Sequence, residues 1–535
     1  MTQPRRATWA AISLAFAVTA VAMTWPMWRA PGTLAPQHQD VYFNMWRLRW
    51  FAHAMRTSPL HLFDANIFHP EKDTLAYSDA MLLEGLVAAP FSALNPVLVH
   101  NVMMVLPMAA SGVAMFALGW SLTGSRGAGV IAGIAFAFAP FRFEHIMHME
   151  IQWTIWMPLA FLALHRLLER GRWRDGIALG AMLALQTLSC IYYGVFLATL
   201  IGAGTVMLFA GDRLAEWRRV LPPIAAAAAI AIVVSALYAI PYGRVHRLVG
   251  DRPLEEVHTF SAQPENYLAA LPGNWLYGSP SRQGHAERRL FPGAIVTLLA
   301  LTGLLLRRPT TRQLVYLLLL ALAFDMSLGY SGLTYPILAR VASAFRSLRA
   351  MARLGIFVVM FLSVLAAYGY ATMVRSLRPA VRMAICACVA AGMLAEYWTS
   401  FVVVEFPSAA PPVYRVLSRL PAGVVAELPA SDLDRLGFEA RRAYLSTFYW
   451  FPILTGYSGN FPHSYLARVD RLKDFPSDRA FRQLRRDEPR YVLVHTIAYT
   501  PQQLETIYVR LAELGMAELG TFDSGESPAV LFARR

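Results

Sequence analysis

Apolar residues form long runs up to about residue 404, and short polar segments separate one run from the next. A helix needs about 20 apolar residues to cross a bilayer, and many of these runs approach or reach that length. The pattern predicts about eleven membrane-spanning helices, some of them short or merged. They lie near residues 8–28, 97–120, 127–141, 152–168, 175–191, 194–211, 220–241, 292–307, 313–330, 355–374 and 381–403.

Composition supports the same class of protein. Of the 535 residues, 56% are hydrophobic and 15% are charged, and the mean hydropathy is +0.41. An ordinary soluble domain contains roughly 25% charged residues. The chain is therefore predicted to be a polytopic α-helical membrane protein. Its first apolar run is long enough to span a membrane and gives no convincing A-x-A cleavage site, which favours an uncleaved first helix.

Arginine residues mark every second junction between the predicted spans. Because cytoplasmic loops of membrane proteins are enriched in Lys and Arg, the N-terminus and these junctions are predicted to be cytoplasmic. The net charge of +14 is therefore largely a topology signal, and no nucleic-acid partner is needed to explain it. The marking arginines are Arg5, Arg6, Arg126, Arg166, Arg170, Arg172, Arg174, Arg213, Arg218, Arg219, Arg307, Arg308, Arg312, Arg375, Arg378 and Arg382.

Three junctions on the opposite side are long, at residues 29–96, 242–291 and 331–354. With an odd number of spans, the C-terminal part lies on that outer side too. It opens with the proline-rich "FPSAAPPVY" and then mixes the strand-like "VVAEL", "YVLVH" and "AVLFA" with the amphipathic "YRVLSRL", "DRAFRQLRR" and "PQQLETIYVRLAELG". The sequence predicts a transmembrane module at 1–404 and a small extracytoplasmic α/β domain at 405–535.

The stretch "QHQDVYFNMWRLRW", residues 37–50, lies shortly after the first span. Helical spacing over 40–53 separates Asp40, Asn44 and Arg47 on one face from Phe43, Trp46 and Trp50 on another. One interpretation is an interfacial anchor, with its aromatic face in lipid or packed on the helix bundle and a charge pair between Asp40 and Arg47. The other is that Asp40 is a general base at the water–lipid boundary, because a carboxylate can deprotonate an attacking hydroxyl within hydrogen-bond reach.

Glu84 follows in the same loop, inside the apolar stretch "AMLLEGLVAAP". A carboxylate in such surroundings is costly unless it is paired or functional. Glu84 is therefore a second candidate catalytic acid, and the alternative is a side chain satisfied by backbone groups or an arginine.

The outer end of the third predicted span reads "FRFEHIMHMEIQW". His145 and His148 are three residues apart and would share a helical face, and Glu150 follows. Histidine and carboxylate ligands suit several divalent ions, and histidine can also bind or protonate a phosphate. A metal site, a phosphate-binding cavity and a solvated polar hairpin all remain open from this pattern.

The segment "FRSLRAMARLG" carries Arg346, Arg349 and Arg353 on the side where the topology rule disfavours arginine. Their spacing of three and four predicts one helical face leading into the tenth span. Such a stripe at a helix start is suited to a phosphate, through bidentate hydrogen bonds and the helix dipole. The alternatives are bridges to acids of the other loops and contacts with anionic lipid head groups.

The cytoplasmic N-terminus, the long first outer loop with an acid soon after the first span, and the later loops rich in Arg and His resemble the GT-C class of integral-membrane glycosyltransferases. The resemblance is most specific at "HQDVYFNMWRLRW" and "HPEKDTLAYSDAMLLEGLVAAPFSALNPVLVHN", which look like the two juxtamembrane helices of that class. In layout it covers residues 1–404. It is greatest with bacterial members that carry an outer C-terminal domain, so the bacterial inner membrane, with that domain in the periplasm, is the implied location.

The resemblance implies transfer of a sugar from a polyprenyl-phosphate donor to a glycan, lipid or protein acceptor. Asp40 matches the catalytic carboxylate of the class, with Glu84 or Glu150 as an assisting acid. Arg47 and the arginines of the tenth span, or the two histidines, would bind substrate or phosphate. Many members carry two adjacent acids, whereas His38 and Gln39 precede Asp40 here. A divalent ion, Mg²⁺ or Mn²⁺, is therefore only a candidate cofactor, with Asp40, His148 and Glu150 as candidate ligands.

A second functional class fits the same features. A non-enzymatic envelope protein, or a transporter of lipid-linked glycans, would also combine many spans with an outer domain that binds glycan or a partner. The aromatic segment 447–466, "TFYWFPILTGYSGNFPHSYL", suits stacking on sugar rings and equally suits a packed core. Polar groups concentrate near the outer interface rather than at mid-membrane, which favours the enzyme.

Overall fold

The computed structural model describes residues 6–212, 217–278, 286–431 and 436–535, and these are mainly helical. The helices, in chain order, are α1 (Arg6–Met23), α2 (Trp25–Trp28), α3 (Gln39–Thr57), α4 (Leu82–Ala88), α5 (Pro96–Thr123), α6 (Arg126–Ala137), α7 (Pro140–Glu144), α8 (Met149–Gln152), α9 (Trp156–Arg170), α10 (Trp173–Ser189), α11 (Ile191–Asp212), α12 (Trp217–Val249), α13 (Leu254–Thr259), α14 (Ala294–Leu305), α15 (Thr311–Ser327), α16 (Thr334–Val341), α17 (Ser343–Arg346), α18 (Gly355–Val374), α19 (Pro379–Tyr397), α20 (Pro412–Leu417), α21 (Leu436–Ser446), α22 (His463–Leu472), α23 (Asp478–Asp487) and α24 (Pro501–Glu513). The strands are β1 (Leu34–Pro36), β2 (Val403–Glu405), β3 (Val425–Leu428), β4 (Tyr491–His495), β5 (Met516–Asp523) and β6 (Pro528–Arg534).

The chain divides into two compact units, each assembled from separate segments. The first contains Met1–Trp28, Val102–Tyr238 and Asp251–Val402, and the second contains Arg29–Asn101, Ala239–Gly250 and Val403–Arg535. The last change of unit along the chain, at 402/403, lies beside the predicted boundary at 404/405. The unit that holds the C-terminal part also holds the whole first long loop, residues 29–96. The domains 1–404 and 405–535 stay a prediction.

A helix lies at each position where the hydropathy pattern predicts a span. Within the described residues, seven of these helical stretches are long and apolar enough to cross a membrane, and they are Arg6–Met23, Pro96–Thr123, Arg126–Glu144, Ile191–Ala210, Trp217–Val249, Met351–Val374 and Pro379–Tyr397. The helices at the other predicted positions, α9, α10, α14 and α15, contain 12 to 17 residues. The predicted polytopic α-helical class is confirmed.

Helix α18 forms much of the core of the first unit, and most of its residues are buried. Helix α14 packs closely along it where two glycines face each other. A Cβ atom added to Gly369 would overlap the carbonyl oxygen of Leu299, and one added to Gly303 would lie 2.8 Å from the amide nitrogen of Gly369. Small residues at such a crossing let two helix backbones approach, as is common in membrane bundles.

The second unit contains two sheets. Strands β1 and β2 pair antiparallel, and the larger sheet has the order β3-β4-β6-β5, with β3 and β4 parallel and the other neighbours antiparallel. Its core is apolar because alternate residues of β3, β4 and β6, on one face of the sheet, pack with helices α22, α23 and α24. It includes Ala426, Leu472, Phe481, Val492, Leu511 and Phe532. The predicted small C-terminal α/β region is confirmed, with the additional strand β5 at the sheet edge, where half of its residues are exposed.

Candidate active site

Helix α3 holds Asp40 in its first turn. His38 is the N-cap residue, and its Nδ1 accepts a hydrogen bond from the backbone N–H of Asp40 at 3.1 Å. The positive end of the helix dipole favours an ionised carboxylate at this position. The second carboxylate oxygen, Oδ2, lies 3.6 Å from the same His38 nitrogen, and the side chain is 14% exposed. The predicted helix is thus observed, and Asp40 is anchored but accessible.

A tyrosine from the C-terminal part contacts Asp40. The hydroxyl of Tyr457 donates a hydrogen bond to Oδ1 of Asp40 at 2.5 Å, and it accepts one from the Gln39 side-chain amide at 3.2 Å. Burial, followed by the nearby Asp40 carboxylate, raises the pKa of Tyr457 above its usual value. The phenol therefore remains protonated and can donate at any physiological pH.

The polar face of α3 continues with Asn44 and Arg47, both buried. Arg47 donates to the side-chain oxygen of Asn44 at 2.5 Å and to the backbone carbonyl of Asp79 at 2.7 Å. Its guanidinium also lies 4.4 Å from the centre of the Phe43 ring. Arg47 is therefore held in place by several contacts, which suits a binding role as well as a structural one.

The aromatic face of α3 does not lie in lipid, so that part of the anchor interpretation is wrong. Phe43, Trp46 and Trp50 are buried inside the second unit. The indole N–H of Trp46 donates to the side-chain oxygen of Asn66 at 3.1 Å, and that of Trp50 donates to the carbonyl of Leu62 at 2.8 Å. Burial removes the apolar ring of each indole from water, and these hydrogen bonds satisfy its N–H group, so both tryptophans are stable inside the unit.

Glu84 lies in α4 and is fully buried. Burial of a carboxylate is costly unless it is paired or hydrogen-bonded. A catalytic role for Glu84 stays a prediction.

The histidine pair belongs to the first unit. His145 and His148 do not share a helical face, because α7 ends at Glu144 and α8 begins at Met149. The Gln152 side chain donates to the carbonyls of Arg142 and His145 at 3.0 and 2.9 Å and so satisfies the open end of α7. The turn nevertheless brings the two Nδ1 atoms within 3.3 Å of each other.

A buried ion pair lies beside this turn. Arg353 donates two hydrogen bonds to Glu287, at 2.8 and 3.1 Å, and His145 Nε2 lies 3.9 Å from the same carboxylate. Burial alone would raise the pKa of Glu287, but the charge and hydrogen bonds of Arg353 outweigh it and hold the pKa below its usual range. Burial lowers the pKa of His145 to about 3, so its ring is neutral at physiological pH. Neutral His145 can exchange hydrogen bonds with a ligand without adding positive charge.

The three arginines near the tenth span do not form one helical stripe. Arg346 ends α17, and Arg353 lies in a 3-10 turn before α18. The helix is interrupted because two intervening amides have tertiary partners: Arg349 N–H donates to the Tyr192 hydroxyl, and Ala352 N–H donates to the Phe260 carbonyl.

Each of the three arginines contacts a carboxylate from residues 251–287. Arg346 lies 3.2 Å from Asp251, Arg349 lies 2.7 Å from Glu256, and Arg353 holds Glu287. The bridges to acids of another loop, left open by the sequence, are therefore present. Phosphate binding by these arginines stays a prediction.

The candidate metal ligands are Asp40 in α3, His148 immediately before α8 and the buried Glu150 within α8. Among the residues that the structure describes, no group of three His, Cys, Asp or Glu side chains could hold a metal ion. We therefore assign no step to Mg²⁺ or Mn²⁺.

Comparison with known proteins places the chain in a family. The family model described as "Domain of unknown function (DUF6311)" matches residues 8–393. The chain belongs to the DUF6311 family. No curated protein matches the sequence of this DUF6311 member.

Solved structures resemble this DUF6311 chain along almost its whole length. The crystal structure of ArnT from Cupriavidus metallidurans bound to undecaprenyl phosphate matches with a TM-score of 0.50 at 11% identity, covering 99% of this chain and 98% of that one. The apo ArnT structure matches with a TM-score of 0.40 at 13% identity, covering 98% and 97%. The first similarity confirms the predicted GT-C architecture.

Sequence reasoning missed two residues of the DUF6311 chain that the structure brings to these clusters. Tyr457 lies 417 positions from Asp40, and no local signal distinguishes it from the other aromatic residues of segment 447–466. Glu287 lies 66 positions from Arg353. Its signal was an acid beside two arginines in the loop 242–291, "HAERRL", which resembles an ordinary solvated charge cluster.

Proposed function

We propose that this protein transfers a sugar from a polyprenyl-phosphate donor to an acceptor hydroxyl on the outer face of the bacterial inner membrane. In the reaction, Asp40 takes the proton of the acceptor hydroxyl as its oxygen attacks the anomeric carbon. The bond between that carbon and the phosphate oxygen breaks, and polyprenyl phosphate leaves with the electron pair. The acceptor, which is a glycan, lipid or protein, gains the sugar with inverted configuration.

The geometry of Asp40 is the observation that carries this proposal. A general base must be ionised, oriented and reachable. Asp40 is in the first turn of a helix, accepts a 2.5 Å hydrogen bond on one oxygen, and keeps 14% of its side chain exposed. The resemblance in fold to an ArnT that was crystallised with undecaprenyl phosphate supports a polyprenyl-phosphate substrate.

The donor phosphate has several candidate partners. Arg349 and Arg353 already bind carboxylates, and a planar guanidinium suits phosphate oxygens for the same geometric reason. His145, a neutral ring beside the Arg353–Glu287 pair, is a further candidate, as are His148, Arg346 and Arg47. Glu84 is proposed as an assisting acid.

An Asp40→Asn variant tests the proposal, because an amide keeps the shape of the carboxylate but cannot take a proton. The variant is expressed in a strain that lacks the gene, and lipid-linked sugars and envelope glycans are measured by mass spectrometry. Product should fall by about 10²–10⁴-fold, the usual contribution of a general base, while the sugar donor accumulates.

Asp64→Asn is the matched control, because Asp64 lies in the same loop and pairs with Lys72 at its surface. It should restore the wild-type glycan profile. A normal profile from a stably expressed Asp40→Asn variant would disprove the role of Asp40 as base.

A further inference from the structure

Segment 447–466 is the aromatic motif that the proposed function leaves without a role. Most of its rings pack on each other or on neighbouring loops; for example, Phe68, Phe461 and Tyr465 form one aromatic cluster. Tyr457 differs because its hydroxyl contacts the proposed base. We infer that Tyr457 is a positioning residue, which fixes the Asp40 carboxylate in its ionised, productive orientation so that the C-terminal part of the chain completes the active site. This inference rests on the proposed function.

The direction of each hydrogen bond around Tyr457 is determined by chemistry. The Gln39 amide nitrogen can only donate, so the phenol oxygen accepts at 3.2 Å. The single phenol hydrogen is then directed to Oδ1 of Asp40 at 2.5 Å. The ring itself is held edge-on against Phe43, with centroids 5.2 Å apart. The donor therefore has a fixed position as well as a fixed direction.

This arrangement distinguishes the two oxygens of Asp40. Oδ1 accepts the hydrogen bond from Tyr457, while Oδ2 is the oxygen near His38. A hydrogen bond to the charged form of a carboxylate favours that form. Among the residues that the structure describes, the ionisable groups near the pair include His38 on the same helix cap, and Arg47, whose positive charge acts on Tyr457. Loss of the phenol hydroxyl should both loosen Asp40 and make it easier to protonate.

A Tyr457→Phe variant tests the inference, because it removes one oxygen atom and keeps the ring that packs on Phe43. Tyr449→Phe is the matched control: Tyr449 lies in the same segment, and its buried hydroxyl has no hydrogen-bond partner among the described residues. Both full-length proteins are purified in detergent and treated with dicyclohexylcarbodiimide, a hydrophobic reagent that labels protonated carboxyl groups. Labelling of Asp40 is measured by peptide mass spectrometry from pH 3 to pH 9, so no substrate is needed.

The labelling midpoint should move to higher pH in Tyr457→Phe by about one to two units, the effect expected of one hydrogen bond to a charged group. Tyr449→Phe should keep the wild-type midpoint. In the gene-deficient strain, product from Tyr457→Phe should fall roughly ten- to a hundredfold at neutral pH, since a small misplacement of a catalytic group has this order of effect.

An unchanged midpoint in Tyr457→Phe overturns the inference, even if product falls. Equal losses of product in both tyrosine variants also overturn it, because they indicate a general packing defect. The proposed function fails separately, through Asp40→Asn. If Asp40→Asn still forms product while the labelling midpoint of Tyr457→Phe moves, the contact between Tyr457 and Asp40 exists but serves no transfer reaction.

Discussion

Arginine occurs in two contrasting environments within residues 346–353. The Arg346 and Asp251 side chains are 42% and 50% exposed, so water screens their pairing. The Arg353 and Glu287 side chains are 9% and 10% exposed and share two hydrogen bonds. Removing one partner of a buried pair leaves a charge without compensation, which costs far more than losing a surface pair.

We expect Arg353→Gln to destabilise the protein by about 3–5 kcal/mol, because Glu287 would stay buried without its main counter-charge. Arg346→Gln should cost at most about 1 kcal/mol. Thermal unfolding in detergent, without substrate, compares the two variants directly. Similar losses in both would mean that Glu287 is not buried against Arg353 in the native protein.

At the scale of elements, the contact between α14 and α18 depends on the absence of side chains. Gly303 and Gly369 bring the two backbones together, and a methyl group at Gly369 would overlap the carbonyl of Leu299. Alanine normally stabilises a helix relative to glycine by roughly 0.5–1 kcal/mol, so helix propensity and packing have opposite effects at this position. The packing effect should be the larger, because a backbone carbonyl cannot rotate away from the added methyl group.

Gly369→Ala should therefore lower the stability by about 1–3 kcal/mol, the usual cost of overpacking. Gly202→Ala in α11 provides the control, since a Cβ atom there meets nothing within 4 Å. That variant should be neutral or slightly more stable in the same thermal unfolding measurement. A stabilised Gly369→Ala would show that the two helices can separate without cost.

At the scale of the whole molecule, arginines at alternate junctions predict which side of the membrane each junction faces. The helix bounds give the positions of these junctions: Arg172 lies between α9 and α10, and Gly250 follows α12. Membrane insertion of a multi-pass chain is therefore predicted to leave Arg172 in the cytoplasm and both Gly250 and the C-terminus outside.

Reporter fusions test this orientation. Green fluorescent protein fused after Arg172 should fluoresce, and alkaline phosphatase fused there should be inactive. Fusions after Gly250 and after Arg535 should give the reverse result, because alkaline phosphatase folds only outside the cytoplasm. Phosphatase activity after Arg172 would invert the topology and remove Asp40 from the outer face.

Features that depend only on neighbouring residues could be predicted from the amino-acid sequence. Runs of apolar side chains located the helices of the membrane part, and helical spacing from Asp40 to Arg47 predicted α3. These signals are local, because hydropathy and helical periodicity involve residues within a few turns of each other.

Tertiary packing determines which side chains meet. It joined Tyr457 to Asp40 across 417 positions and Glu287 to Arg353 across 66 positions. It also buried the aromatic face of α3 and interrupted the helix predicted through Arg349, where amides found tertiary partners instead. The physical reason is that hydrogen bonds and ion pairs form between the groups that packing brings together. Local sequence patterns do not show which distant residues those will be.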